Sequence, residues 1–204
     1  MLADPAKRHI LVESIWHLLK ANRFPGVMLD IERLKPQDRA LYTQFLRELH
    51  AKLHPSGMEI AVSVPPKQGP NTPVHAGGYD YAAIGKYADC VFVMAYDWHI
   101  PPFTGPGPVA PHAQVKATMS YASTVISPKK LYPGIPMYGY DWNVSTGKGR
   151  ALSQQKALEQ AIDRRATIRF DPHSRTHITV TQQTGNGTKC GLRTPAAWPP
   201  SLPW

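Results

Sequence analysis

The stretch GVMLDIE, residues 26–32, has the length and apolar character of a strand and ends in two carboxylates. Because side chains alternate along a strand, Met28, Asp30 and Glu32 point to one side of the sheet, and the residues between them point to the other. The two carboxylates therefore project together near the carboxyl end of the strand. This stretch therefore predicts a pair of acids where the strand leaves the sheet at its carboxyl end. The pattern of the rest of the chain indicates the type of sheet.

Helical and strand-like patterns alternate along the rest of the chain. The predicted helices cover residues 6–21, 35–57, 79–88, 112–126 and 153–166, and the further predicted strands cover residues 58–66, 89–98 and 130–142. Alternation at this spacing indicates βαβ crossovers and a parallel sheet whose strands are apolar on both faces. The predicted fold class is therefore α/β.

Two architectures satisfy this alternation, an open doubly wound sheet and a closed (β/α)8 barrel. A barrel builds its active site at the carboxyl ends of its strands. Polar and aromatic residues cluster at three such ends, namely Asp30 and Glu32, then Tyr96, Asp97 and Trp98, and finally Tyr140, Asp141 and Trp142. No glycine-rich phosphate loop follows the first strand, which counts against a nucleotide-binding sheet. We therefore expect the barrel.

The composition argues against several classes of function. The chain has 204 residues, and no apolar run approaches the roughly 18 to 20 residues that cross a bilayer, so no membrane span is expected. The net charge of +9 comes from scattered basic residues without a recognition motif, so nucleic acid is not an expected partner. The sequence shows no metal-ligand spacing and no visible export signal.

The pairing of Asp30 with Glu32 suits acid catalysis. Two neighbouring carboxylates with limited access to water cannot both ionise cheaply, so one of them stays protonated and can act as a general acid. Glu32 lies nearer the rim and suits that role. In the alternative interpretation the two residues begin a loop, in which Glu32 is solvated or paired with Arg33.

Three motifs together resemble glycoside hydrolase family 18. GVMLDIE is similar to the family's active-site strand, DGxxxDxE. It differs at two positions, because Pro25 stands where the family often has its first Asp, and Met28 stands where the family has Asp or Asn. VMAYD at 93–97 looks like the family's MxYD, and LYPGIPMYGYDW at 131–142 looks like its seventh-strand segment. The motifs follow in the family's order and are closest to the spore-germination and cortex-lytic branch, for which a spore or cell-wall location is the expectation.

The resemblance implies an architecture and an activity. The architecture is a partial (β/α)8 TIM barrel that covers about strands 4 to 7, with residues 1–172 in the catalytic barrel. The activity is substrate-assisted hydrolysis of β-1,4 bonds at N-acetylglucosamine in peptidoglycan, spore cortex or chitin-like oligomers. An N-acetylated glycan is thus the expected partner, and no metal or cofactor is needed.

The resemblance also implies the roles of individual residues. Glu32 would protonate the glycosidic oxygen, Asp30 would orient the N-acetyl group, and Tyr96 would hydrogen-bond the acetyl carbonyl. The residues expected to shape the sugar pocket are Met94, Asp97, Tyr138 and Trp142. Trp142 has an alternative reading as a buried anchor.

The tail at residues 173–204 differs in composition from the rest. It contains no Asp or Glu and is rich in proline near its end, so we expect an irregular, disordered segment outside the family. Residues 188–204, read two bases along, can encode EVWFEDARSLAAKFAV, which is similar to the family's continuation. We interpret the tail as a frameshifted read-through, with a proline-rich extension as the alternative.

Two further hypotheses follow from a chain that lacks about half of the barrel. One is a non-catalytic remnant that binds sugar weakly or not at all. The other is a subunit that completes its barrel with a separately encoded amino-terminal half. Exposed barrel edges would also allow self-association.

Overall fold

A computed structural model describes residues 1–70, 76–182 and 189–195, with side chains described as far as residue 178. The chain divides into two compact units. The first comprises Met1–Met94 and Ala117–Gly134, and the second comprises Ala95–Lys116 and Ile135–Trp204. No helix in the described ranges is long and apolar enough to cross a membrane.

The first unit contains the parallel sheet that the sequence predicts. Its elements, including a helix that begins in the second unit, are α1 (Pro5–Asn22), β1 (Gly26–Leu29), α2 (Arg39–Leu53), β2 (Glu59–Val64), α3 (Tyr81–Tyr87), β3 (Cys90–Val93), α4 (His112–Val125) and β4 (Leu131–Pro133). The strands lie in the order β1-β2-β3-β4, and every neighbouring pair is parallel. The α/β fold class is confirmed.

The core of this unit lies between the sheet and α2. Ile60, Val62 and Val64 of β2 are fully buried, in agreement with a strand apolar on the face that meets the helices. The buried residues of α2 recur at helical spacing and are Tyr42, Phe45, Leu46, Leu49 and Leu53. Short 3-10 turns flank α2, and the chain turns at Gly57, whose φ is +70°.

Helix α1 matches its predicted span, and its buried face overlaps only part of the apolar pattern. Leu19 is buried, as its helical spacing with Ile10, Leu11, Ile15 and Leu18 predicts, yet Ile10 and Leu18 are 63% and 58% exposed. The buried residues are Arg8, Val12 and Leu19. The physical reason is an ion pair, because the Arg8 guanidinium binds both carboxylate oxygens of a glutamate on α2.

The second unit is built on an antiparallel sheet. Its elements are β5 (Tyr138–Asn143), β6 (Gly149–Ser153), α5 (Gln154–Asp163), β7 (Ile168–Asp171), β8 (Thr176–Gln182) and β9 (Lys189–Pro195). The strands lie in the order β6-β5-β9-β8-β7.

The prediction of one strand over 130–142 is wrong. The segment is divided between β4, which joins the parallel sheet, and β5, which joins the antiparallel one. Pro136 lies between them and has no backbone N–H for a strand ladder, which explains the interruption.

The tail contains two strands where the sequence predicts an irregular segment. Strand β8 pairs with both β7 and β9. Its sequence THITVTQ alternates with many β-branched residues, which favour extended backbone. Residues 183–188 and 196–204 lie outside the described residues, and the expected disorder stays a prediction for those segments only.

We predict that Gly26→Ala destabilises the first unit. A Cβ atom at Gly26 would collide with the backbone carbonyl of Glu59 on the paired strand β2. The free energy of unfolding, measured by chemical denaturation, should fall by about 1–3 kcal/mol. Gly69→Ala is the matched control, because no atom of the described residues, apart from its chain neighbours, lies within 4 Å of its added Cβ. Equal stability of the two variants would contradict this account of β1.

Candidate active site

The predicted acid pair lies directly beyond β1. The strand ends at Leu29, so Asp30 and Glu32 occupy the following turn rather than the strand itself. Both residues are exposed to solvent. The restricted access to water on which the expected acid depends is thus not seen at these side chains, because β1 is the edge strand of the parallel sheet in the described structure. The backbone of Asp30 and Glu32 therefore matches the alternative interpretation, in which the two residues begin a loop.

Two buried tyrosines that the sequence analysis missed lie near this turn. Tyr42 on α2 and Tyr79 ahead of α3 are each only 1% exposed, and their rings meet edge to face with centroids 6.1 Å apart. The Tyr79 hydroxyl donates a hydrogen bond to the backbone carbonyl of Ile31, at 2.8 Å. The pKa of Tyr42 is raised, mainly because the ring is buried and to a smaller extent because Tyr79 and Asp30 lie nearby.

Met94 also belongs to the first unit. It follows β3, and its backbone N–H donates to the carbonyl of Val64 at 2.9 Å. The parallel ladder therefore continues by one bond beyond the strand and fixes the chain at the start of the MAYD segment.

The second unit assembles a compact cluster around Asp97. One carboxylate oxygen of Asp97 accepts hydrogen bonds from the hydroxyls of Tyr138, at 2.6 Å, and Tyr140, at 2.9 Å. The backbone of Asp97 is left-handed, with φ of 60°, a conformation that Asp tolerates better than most residues. The cluster therefore holds an acidic side chain in one direction with two phenol donors.

The same contacts shift the tyrosine pKa values upward. Burial, together with the hydrogen bond to Asp97, raises the pKa of Tyr138 well above its usual value and that of Tyr140 to about 12. The neutral hydroxyl is favoured because an ionised one could not donate to the carboxylate. Tyr140 was not among the predicted site residues, although the alternation of β5 could have indicated it, since it lies on the same strand face as Tyr138.

Aromatic packing supports this cluster. Trp142 is fully buried and packs edge to face on Tyr140, with ring centroids 6.0 Å apart. Val109 completes this small core, and the partly buried Tyr96 packs against it. Trp142 therefore occupies the position of a buried anchor, which the sequence analysis gave as the alternative to a sugar-pocket residue.

The predicted site residues therefore divide between the two units. Asp30, Glu32 and Met94 lie in the first unit, and Tyr96, Asp97, Tyr138 and Trp142 lie in the second. Within the second unit, Asp97 contacts Tyr138 directly, and Tyr96 joins the same packed cluster. Chemically, the first unit offers carboxylates for proton transfer, and the second offers an oriented acidic group beside aromatic rings.

Comparison with known proteins gives a family match. The model of Glycosyl hydrolases family 18 matches residues 1–188, which continues past the predicted boundary at residue 172. YdhD of Bacillus subtilis, named as a sporulation-specific glycosylase, is 36% identical over 173 residues, which is 83% of this chain and 41% of YdhD. The cortical fragment-lytic enzyme of the same organism is 34% identical over 182 residues, which is 84% of this chain and 41% of that enzyme.

Solved structures give the same picture. The crystal structure of YdhD matches with a TM-score of 0.91 and 32% identity, covering 96% of this chain and 66% of that one. A chitinase from Chromobacterium violaceum matches with a TM-score of 0.83 and 29% identity, covering 90% of this chain and 57% of the chitinase. The chain spans about two fifths of the length of the curated relatives described here.

We predict that the free energy of unfolding falls at alkaline pH through the Asp97 cluster. The folded pKa of Tyr140 is raised, so above about pH 10 the unfolded chain loses a proton that the folded chain keeps. Stability contributed by this group is therefore present below pH 10 and is lost as the pH rises toward 12. Denaturant titrations from pH 8 to 12 should show a smaller loss for Tyr140→Phe than for the wild type. Identical pH dependence would contradict the assignment.

Proposed function

The chain belongs to glycosyl hydrolase family 18, and we propose that it cleaves β-1,4 bonds at N-acetylglucosamine in peptidoglycan, spore cortex or chitin-like glycans. The observation that carries the proposal is the placement of Asp30 and Glu32 in the turn directly after β1, in a chain that matches the family over residues 1–188. Parallel strands of this fold present catalytic groups at their carboxyl ends.

The proposed acid is Glu32. Its carboxyl proton would pass to the glycosidic oxygen as the bond to the anomeric carbon breaks, and the resulting carboxylate would then take a proton from the attacking water. Exposure of Glu32 in the chain alone means that the bound sugar must exclude water around it.

The proposed nucleophile is the acetamide of the substrate. Its carbonyl oxygen would bond to the anomeric carbon from the face opposite the leaving group, and water would later open the ring that forms. Asp30 would orient the acetamide N–H and balance the positive charge that develops on it. Tyr96 would donate a hydrogen bond that holds the acetamide group in place for attack.

The proposed sugar contacts come from the Asp97 cluster and Met94. An Asp97 carboxylate fixed by two phenols can accept a hydrogen bond from a sugar hydroxyl without first reorganising. Tyr138 and Met94 would supply apolar surface for a pyranose face. Trp142 would act through Tyr140, on which it packs.

The choice of glycan rests on the relatives. Two of them are named for sporulation or for lysis of cortical fragments, and a third is a chitinase. N-acetylglucosamine is the unit that such glycans share, so we propose recognition of the N-acetyl group rather than of the peptide decoration.

A second candidate is a sugar-binding chain without turnover. The exposure of Asp30 and Glu32, with Pro25 and Met28 at positions where the family often has acidic or amide side chains, favours it. Binding of N-acetylglucosamine oligomers with no release of reducing ends would support this candidate over the hydrolase.

We predict that Glu32→Gln lowers hydrolysis of N-acetylglucosamine oligomers by about 10²- to 10⁴-fold, because the amide cannot supply the proton. Release of reducing ends measures turnover, and calorimetry with the same oligomers should show binding largely retained. Glu59→Gln is the matched control, since Glu59 is also an exposed glutamate, at the start of β2. A Glu32→Gln variant as active as Glu59→Gln would exclude Glu32 as the acid.

A further inference from the structure

The turn that carries Glu32 has an unusual backbone. It runs from Asp30 to Leu34, and Arg33 within it is left-handed, with φ of 59°. Residues with a Cβ atom rarely adopt this conformation unless the surrounding structure holds them there. Because Arg33 and Glu32 are both exposed, packing of their own side chains does not supply that restraint.

One buried side chain holds the start of this turn. The Tyr79 hydroxyl donates to the backbone carbonyl of Ile31 at 2.8 Å. That carbonyl belongs to the peptide group that joins Ile31 to Glu32, so the phenol holds the backbone directly before Glu32.

Tyr79 is itself held firmly in place. The buried ammonium of Lys67 donates to the Tyr79 carbonyl at 2.6 Å. At Gly78 the backbone passes so close to Leu34 that a Cβ atom would lie 2.6 Å from the Leu34 Cβ. Both contacts fix the tyrosine backbone against the turn, so its hydroxyl has little freedom to move away.

We propose that Tyr79 is a positioning residue that holds the Ile31 carbonyl and thereby sets the direction of the Glu32 carboxyl group. The inference rests on the proposed function of Glu32 as acid. Tyr79 does not touch the reacting atoms in this scheme. It acts through the peptide group directly before Glu32.

The proposal has a specific chemical consequence. Phenylalanine at position 79 would keep the buried ring but would leave the Ile31 carbonyl without the hydroxyl that donates to it. The turn would then sample other directions for Glu32, and misplacement of a reacting group by about 1 Å can cost on the order of 10²-fold in rate. Sugar binding by groups elsewhere would change little.

The test compares Tyr79→Phe with Tyr42→Phe in the full chain. Tyr42 is the matched control because it is equally buried, its ring contacts Tyr79, and its hydroxyl has no hydrogen-bond partner among the described residues. Tyr79→Phe should lower kcat for N-acetylglucosamine oligomers by about 10- to 100-fold with KM changed less than about twofold. Tyr42→Phe should leave both constants near those of the wild type.

The carbonyl ¹³C NMR resonance of Ile31 supplies a second readout that does not depend on activity. It should move in Tyr79→Phe and stay near its wild-type position in Tyr42→Phe, because only the first change removes the hydrogen bond to that carbonyl. An unmoved Ile31 resonance in Tyr79→Phe, or equal kcat of the two variants in an active chain, would overturn the proposal. An inactive wild type whose Ile31 resonance moves in Tyr79→Phe would support the positioning contact and reject the proposed hydrolase.

Discussion

The pairing of β1 with β2 is the constraint on which the placement of the carboxylates depends. Gly26 lies against the Glu59 carbonyl with no room for a side chain, and the Glu59 N–H donates to the Pro25 carbonyl at 2.9 Å. This register starts β1 at a fixed point, and the strand lasts only four residues. Asp30 and Glu32 therefore emerge just past the sheet, in a turn whose direction must be set by contacts other than a strand ladder.

The two units solve the problem of orienting an acidic group in different ways. Asp97 is fixed through one of its carboxylate oxygens, which accepts hydrogen bonds from two tyrosine hydroxyls. Around Glu32, by contrast, the hydroxyl of Tyr79 binds the backbone and leaves the carboxyl group itself open. A residue that must give up and regain a proton benefits from the second arrangement, and one that must remain ionised and oriented benefits from the first.

The sequence predicted elements whose signals are local and missed features that depend on distant partners. Helix α2 follows from its apolar spacing between Pro36 and Gly57, and the parallel order of the first sheet follows from the βαβ alternation. The buried face of α1 was predicted only in part, because an ion pair with a residue 40 positions away also buries Arg8. Tyr79 could not be recognised, since it binds a backbone carbonyl that any residue at position 31 would present. The acid pair followed from the alternation of GVMLDIE, and the roles of Glu32 and Asp97 came from motif resemblance. Tyr140 was missed as a site residue, although it alternates with Tyr138 on the same face of β5.

The central claim is that a family 18 chain uses Glu32 as acid and the acetamide of the substrate as nucleophile. Two successive displacements at the anomeric carbon retain its configuration, whereas direct attack by water inverts it. The most direct measurement is the proton NMR spectrum of the first product released from an N-acetylglucosamine oligomer, before the anomers equilibrate. The account predicts that the β anomer forms first. Initial formation of the α anomer would contradict it.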